Sequence, residues 1–129
     1  MIVVDSSVWI AHLRNHDIPQ VRRLRAISRK RNIIIGDLVL VEVLQGARGD
    51  RHAKQIEDTF RQFTPVRMLD PDIAVEAARL YRALRADGYT VRRTVDLIIA
   101  TFCVTGGHHL LHGDRDFAPF VRRFGLMLA

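Results

Sequence analysis

Five carboxylates in this chain occupy positions from which they could gather around a cation: Asp5, Glu42, Asp96, Asp114 and Asp116. Asp5 follows the apolar run Ile2 to Val4; capping the helix that carries Trp9, Ile10 and Leu13 would explain it, but Ser6 or Ser7 could serve as that cap equally well. Glu42 interrupts the run Leu38 to Leu44, and its helical neighbours Leu38, Val39, Gln45 and Gly46 include no base. A lone buried carboxylate must either take up a proton or be held ionised by a cation, whereas on an exposed stripe of a short helix it needs neither. Asp96 opens the apolar helix DLIIATFCV as a cap or first-turn acid, with Thr94 competing for the cap. Asp114 and Asp116 flank Arg115 in a loop, and one of them could cap a helix beginning at Phe117. Together they read as an oxygen-only site for Mg²⁺ or Mn²⁺, since zinc would recruit His or Cys. Such ions lower the pKa of a water and neutralise a phosphate, which is the chemistry of phosphodiester hydrolysis.

The elements that must position these acids alternate between strand and helix. A strand Ile2 to Val4 leads into the Trp9 helix. Pro19 opens a second helix with Val21, Leu24, Ile27 and Ser28 inward and Arg22, Arg23, Arg25, Arg29, Lys30 and Arg31 outward. Asn32 ends it, Ile33 to Ile35 is a buried strand, and Gly36-Asp37 turns into the Glu42 helix with Asp37 as its cap. Residues 51 to 63 carry Ala53, Ile56, Phe60 and Phe63 at helical spacing, followed by a strand Val66 to Leu69. Asp70 and Pro71 start a helix through Ile73, Ala77, Leu80, Tyr81 and Leu84, stopped by Asp87-Gly88. A helix from Val95 to Val104 ends at Gly106-Gly107. Then come a strand His109 to Leu111, the loop His112 to Asp116, a helical turn Phe117 to Arg123 and a strand Leu126 to Leu128. Short, uniformly apolar strands separated by helices imply an α/β fold with a central, mostly parallel sheet covered on both faces. Its length suits one domain, 1–129. Ligands in such sheets bind outside the carboxyl ends of the strands, where Asp5 stands.

Charge points to the partner class. Twenty basic residues, all arginine except Lys30 and Lys54, face 14 acids, and setting the five candidate acids aside leaves nine. An acidic pocket would then sit in a basic field suited to a polyanion. Arg22, Arg23, Arg92, Arg93 and Arg115 are candidates for phosphate contacts that position a nucleic acid without reading its sequence. No apolar run has the length of a membrane span, and the N-terminus lacks the pattern of a signal peptide, so the cytoplasm is expected. The single Cys103 excludes an internal disulfide and a multi-cysteine zinc site, leaving packing as its role. His12 and His16, four residues apart, have no third ligand nearby and read as surface residues. His108, His109 and His112 alternate at a strand end, and Trp9 reads as core.

The opening IVVDSSVWI, the helix LVLVEVLQG, the segment VDLIIAT and the terminal LLHGDRDF resemble, in order and spacing across almost the whole chain, the PIN-domain ribonucleases, most closely VapC-type toxins of toxin–antitoxin pairs. The resemblance implies a three-layer α/β/α fold and a metal-dependent endoribonuclease. Asp5, Glu42 and Asp96 would be metal-binding acids, the fourth being Asp114 or Asp116, and Ser6 a hydroxyl that hydrogen-bonds within the cluster. It further implies one or two Mg²⁺ or Mn²⁺ ions, structured RNA (tRNA or rRNA) as substrate, arrest of translation, a homodimer, and a VapB-type antitoxin. His112 and Gly113 depart from the Thr, Arg or Asn common in relatives, which bears on the geometry of that loop.

Three other readings compete. A phosphoryl-accepting receiver domain would want adjacent acids after the first strand and a late lysine; the chain has no Asp-Asp pair and no lysine beyond Lys54. A non-catalytic RNA-binding module explains the arginines but not Glu42. A non-toxin nuclease of the same architecture acting on other RNA or on DNA differs only in substrate.

Overall fold

The strand that carries Asp5 on its end, β1 (Ile2–Val4), lies at the centre of a five-stranded sheet in the computed structural model, which describes residues 1–129. The others are β2 (Ile33–Gly36), β3 (Thr64–Val66), β4 (His109–Leu111) and β5 (Met127–Leu128), in the order β3-β2-β1-β4-β5, and every pairing is parallel. The expected mostly parallel sheet is thus wholly parallel.

Seven helices connect the strands: α1 (Ser6–Leu13), α2 (Pro19–Ala26), α3 (Asp37–Gln45), α4 (Asp50–Phe60), α5 (Pro71–Ala86), α6 (Thr94–Gly106) and α7 (Ala118–Phe124). From β1 the chain steps outward to β2 and β3, then crosses back to β4 and β5 on the far side of β1. Right-handed crossovers in opposite directions put their helices on opposite faces. Accordingly α1 packs on α2 and α3, and α3 on α4, while α5 packs on α6, giving an α/β/α sandwich. Residues from both faces merge in one core, including Val3, Val4, Ile33 to Ile35, Ile99, Leu110, Phe117 and Phe120. Trp9 is in that core, with its ring 4.8 Å from Phe60 and 5.0 Å from Phe63. Cys103 is buried in α6 and its thiol is pushed up to about 12 by that burial, as suits a packing residue.

Several boundaries differ from the sequence reading. α2 stops at Ala26, so Ile27 is only half-buried and Ser28 is exposed. The edge strand β3 occupies Thr64–Val66 rather than Val66 to Leu69. An edge position tolerates Pro65, and the amide of Met68, which would have prolonged the strand, instead donates to Asp37 Oδ1 at 3.0 Å. Asp37 is therefore the first residue of α3, not its cap; that position belongs to Gly36, packed so closely on the Met68 side chain that a Cβ would collide with it. α4 ends at Phe60, and Phe63 folds back on it, its amide donating a hydrogen bond of 3.1 Å to the Phe60 carbonyl. Glycine at 107, with φ of 69°, supplies the left-handed turn that ends α6.

Candidate active site

Asp5 follows β1, Asp114 and Asp116 follow β4, and Glu42 and Asp96 come from α3 and α6. Asp5 is the residue after β1, and its amide donates to the Leu111 carbonyl at the end of β4 at 2.9 Å, which fixes the backbone on which its side chain stands. Asp5 caps α1, a role the sequence reading left open to Ser6 or Ser7: its Oδ2 accepts from the Ser7 amide at 3.2 Å and the Ser7 hydroxyl at 2.6 Å. Oδ1, however, is buried with no hydrogen-bond partner, in a residue only 1% exposed. Capping therefore accounts for one oxygen of Asp5 and leaves the other unexplained.

Glu42 projects from the middle of α3, half-buried rather than on an exposed stripe, and its Oε1 is likewise buried without a partner. Burial pushes its carboxyl above the usual range, the neighbouring Ser6 hydroxyl opposes this, and the charge of Asp5 adds to it. Ser6 itself is buried.

Asp96, 2% exposed, lies in the first turn of α6. Neither it nor Thr94 caps that helix; Arg93 takes the cap position without a side-chain bond. Burial, countered by Arg93 and reinforced by Asp5 and Asp114, pushes the Asp96 carboxyl up to about 6. Asp114 caps a 3₁₀ turn, Arg115–Phe117, through an Oδ1 that accepts from the Asp116 amide at 2.9 Å. A carboxylate oxygen from each of Asp96, Asp114 and Asp116 lies within 4.8 Å of the other two, the spacing of ligands around one ion. His112 settles the loop geometry that its unusual sequence put in question: its Nδ1 accepts from the Asp114 amide at 3.1 Å and its ring lies 4.9 Å from Phe117. Burial lowers the His112 pKa, which suits this neutral acceptor role.

Two residues enter the site in roles the sequence did not assign. Ser7 is the hydroxyl that holds Asp5. Arg93, one of five arginines considered for phosphate contact, turns inward: its guanidinium bonds Asp96 at 2.9 and 3.3 Å and Asp114 at 3.5 Å. Its spacing of three from Asp96 was a visible signal, but its reach to Asp114 depends on the fold. The other arginines stay outside the cluster, Arg22 pairing with Asp17 at 3.2 Å. His12 and His16 do not share a helical face, because α1 ends at Leu13, and His12 Nδ1 accepts from Arg25 at 3.2 Å.

Like charges gathered in a buried pocket repel unless protons or cations offset them. Two partnerless buried oxygens, on Asp5 and Glu42, and a separate trio, Asp96, Asp114 and Asp116, within ligand distance of one another offer oxygen donors alone, which fit a hard divalent ion; Asp5 and Glu42 are not part of that trio.

Comparison with known proteins places the chain in a family. Residues 2–121 match the PIN domain family. Over the full chain the sequence is 32% identical to ribonuclease VapC11 of Mycobacterium tuberculosis and to VapC ribonuclease Mb1587 of Mycobacterium bovis, covering 98% of each. The fold superposes on VapBC2 of Rickettsia felis, solved with a promoter DNA fragment, with a TM-score of 0.76 at 15% identity, covering 99% of this chain and 96% of that one. It superposes also on VapC20 of M. tuberculosis, described as a sarcin-ricin loop cleaving toxin, with a TM-score of 0.68 at 22% identity and 96% coverage of both.

Proposed function

Since the chain belongs to the PIN domain family and, within it, to the VapC ribonucleases, we propose that it is a divalent-metal-dependent endoribonuclease toxin whose site is Asp5, Glu42, Asp96, Asp114 and Asp116. The observation that carries the metal dependence is the pair of buried, partnerless oxygens, Asp5 Oδ1 and Glu42 Oε1, beside three acids already at ligand spacing. Mg²⁺ or Mn²⁺, as one or two ions, would be held by these carboxylates, and when bound it neutralises the scissile phosphate and makes water a better nucleophile.

The protein's own groups do the rest. Ser7 fixes one oxygen of Asp5 and leaves the other without a donor, and the Ser6 hydroxyl favours the charged form of Glu42. His112 and the 3₁₀ turn hold the loop that presents Asp114 and Asp116, and the Tyr89 hydroxyl donates to the Asp116 carbonyl at 3.4 Å. The surrounding arginines attract the RNA backbone, which makes binding salt-dependent.

The substrate class fitting this basic surface is structured RNA, tRNA or rRNA, cut in the cytoplasm so that translation stops; no helix is long and apolar enough to cross a membrane. Toxin–antitoxin complexes among the structural neighbours support a VapB-type antitoxin as partner. An open groove of about 520 Å³ between α5 and α6, lined by Leu69, Ala77, Tyr81, Leu97 and Ile98, offers apolar surface to a second copy and favours a homodimer. The test is cleavage of total tRNA and rRNA by purified protein with Mg²⁺ or Mn²⁺ and with EDTA, alongside Asp5→Asn and Asp96→Asn. Discrete fragments that need metal and both acids are expected. Intact RNA from folded, metal-loaded, antitoxin-free protein refutes the RNA assignment.

A further inference from the structure

We propose that Arg93 is the internal counter-ion of the metal-free site, a guanidinium that bridges Asp96 and Asp114 and must leave them when a divalent ion binds. The inference rests on the metal reading above and concerns a residue outside the acidic set.

Arg93 uses Nε on Asp96 Oδ2 at 2.9 Å, and Nη2 on both Asp96 Oδ1 at 3.3 Å and Asp114 Oδ2 at 3.5 Å. Because Asp114 Oδ1 is occupied by the Asp116 amide, every oxygen of these two acids already has a donor. The guanidinium reaches no further: Asp5 Oδ1 and Glu42 Oε1 remain partnerless. Asp96 and Asp114 are thus partly offset from within the chain, while Asp5 Oδ1 and Glu42 Oε1 have no donor. Arginine does not release its proton at any ordinary pH, so a divalent ion shared by Asp96 and Asp114 and a guanidinium on the same oxygens repel each other. Departure is easy, because the Arg93 side chain is 55% exposed and makes no hydrogen bonds except those to the two acids. The device keeps the acids assembled without metal, at the expense of metal affinity.

Mn²⁺ titration calorimetry and thermal melting, in EDTA and in saturating Mn²⁺, on wild type, Arg93→Gln and Arg93→Lys form the test. Removing a half-exposed ion pair and its repulsion should tighten Mn²⁺ binding about five- to tenfold in Arg93→Gln. Arg93→Lys, a cation without the planar fork, should fall between. Arg93→Gln should melt below wild type in EDTA, and saturating Mn²⁺ should erase the deficit. Equal or weaker Mn²⁺ binding by Arg93→Gln, or a deficit that persists in Mn²⁺, overturns the proposal and makes Arg93 a merely structural brace. If wild type binds no Mn²⁺, the metal reading falls and this inference with it; if wild type binds and Asp96→Asn does not, only the Arg93 results decide.

Discussion

Ser7 donates twice to a single oxygen of Asp5, through its amide and its hydroxyl, and so leaves Asp5 Oδ1 as a buried acceptor with nothing to accept. Asparagine caps a helix as well as aspartate but carries no charge. Asp5→Asn should therefore lower RNA cleavage at least about a hundredfold while raising the melting temperature in EDTA by roughly 2–5 °C, because it removes one charge from a crowded cluster. Melting curves and initial rates on the same preparation check both signs; a variant that is inactive because it is unfolded contradicts this account.

Asp96 gives a pH signature. Burial first, and then the charges of Asp5 and Asp114 against the pull of Arg93, bring its folded pKa to about 6 from an ordinary 3.8. A carboxyl raised on folding binds its proton more tightly in the native state. Its stabilising contribution is complete below the unfolded value and is lost as pH rises through about 6. In EDTA, wild type should lose more urea stability between about pH 5 and about pH 7.5 than Asp96→Asn does. Mn²⁺ affinity should fall in the opposite sense, weakening as the acid becomes protonated. Parallel pH profiles for the two proteins would remove the basis of this prediction.

Asp114 and Asp116 separate by what else they hold. Asp114→Ala deletes the acceptor of the Asp116 amide along with a carboxylate, and should cost about 1 kcal/mol in EDTA as well as metal affinity. The Asp116 side chain offers only its carboxylate to the cluster and accepts no hydrogen bond there. Asp116→Asn should weaken Mn²⁺ binding and, by removing a charge without a hydrogen bond, leave the urea midpoint in EDTA no lower than wild type, which calorimetry and denaturation together resolve.

Asp37 is the acid that the site does not use. Its Oδ1 accepts from the amides of Leu38 at 2.9 Å and Met68 at 3.0 Å, tying the start of α3 to the segment after β3. Asp37→Ala should cost about 1–2 kcal/mol of stability and leave the cleavage rate of the folded protein unchanged. A large loss of rate at full stability would place Asp37 in the catalytic machinery instead.

Asp5, Glu42 and Asp96 were legible in the sequence because each breaks an apolar pattern at a strand end or within a helix, where charge has a local cost that can be read without a fold. The order of strands and helices was legible for the same reason, since apolar runs of three or four residues alternating with helical periodicity leave few topologies. The length of β3 was not, because its end is decided by Asp37, some thirty residues earlier, drawing the Met68 amide out of the sheet. Arg93 was visible as one of five candidate phosphate contacts, three residues before Asp96. Its role depends on α6 and the loop after β4 meeting in space, a relation that no local pattern records.

The placement of β1 in the middle of the sheet has a consequence for the order of assembly. β2 and β3 pair on one side of it from within the first 66 residues, but its other neighbour, β4, arrives only at His109–Leu111, carrying Asp114 and Asp116 behind it. The contacts that complete the acidic pocket are thus among the most distant in the chain, and loop closure of that length makes them late to form. A growing polypeptide would hold Asp5, Glu42 and Asp96 while one edge of β1 is still bare, so the acidic pocket would close in one step when β4 docks, not accumulate along the way.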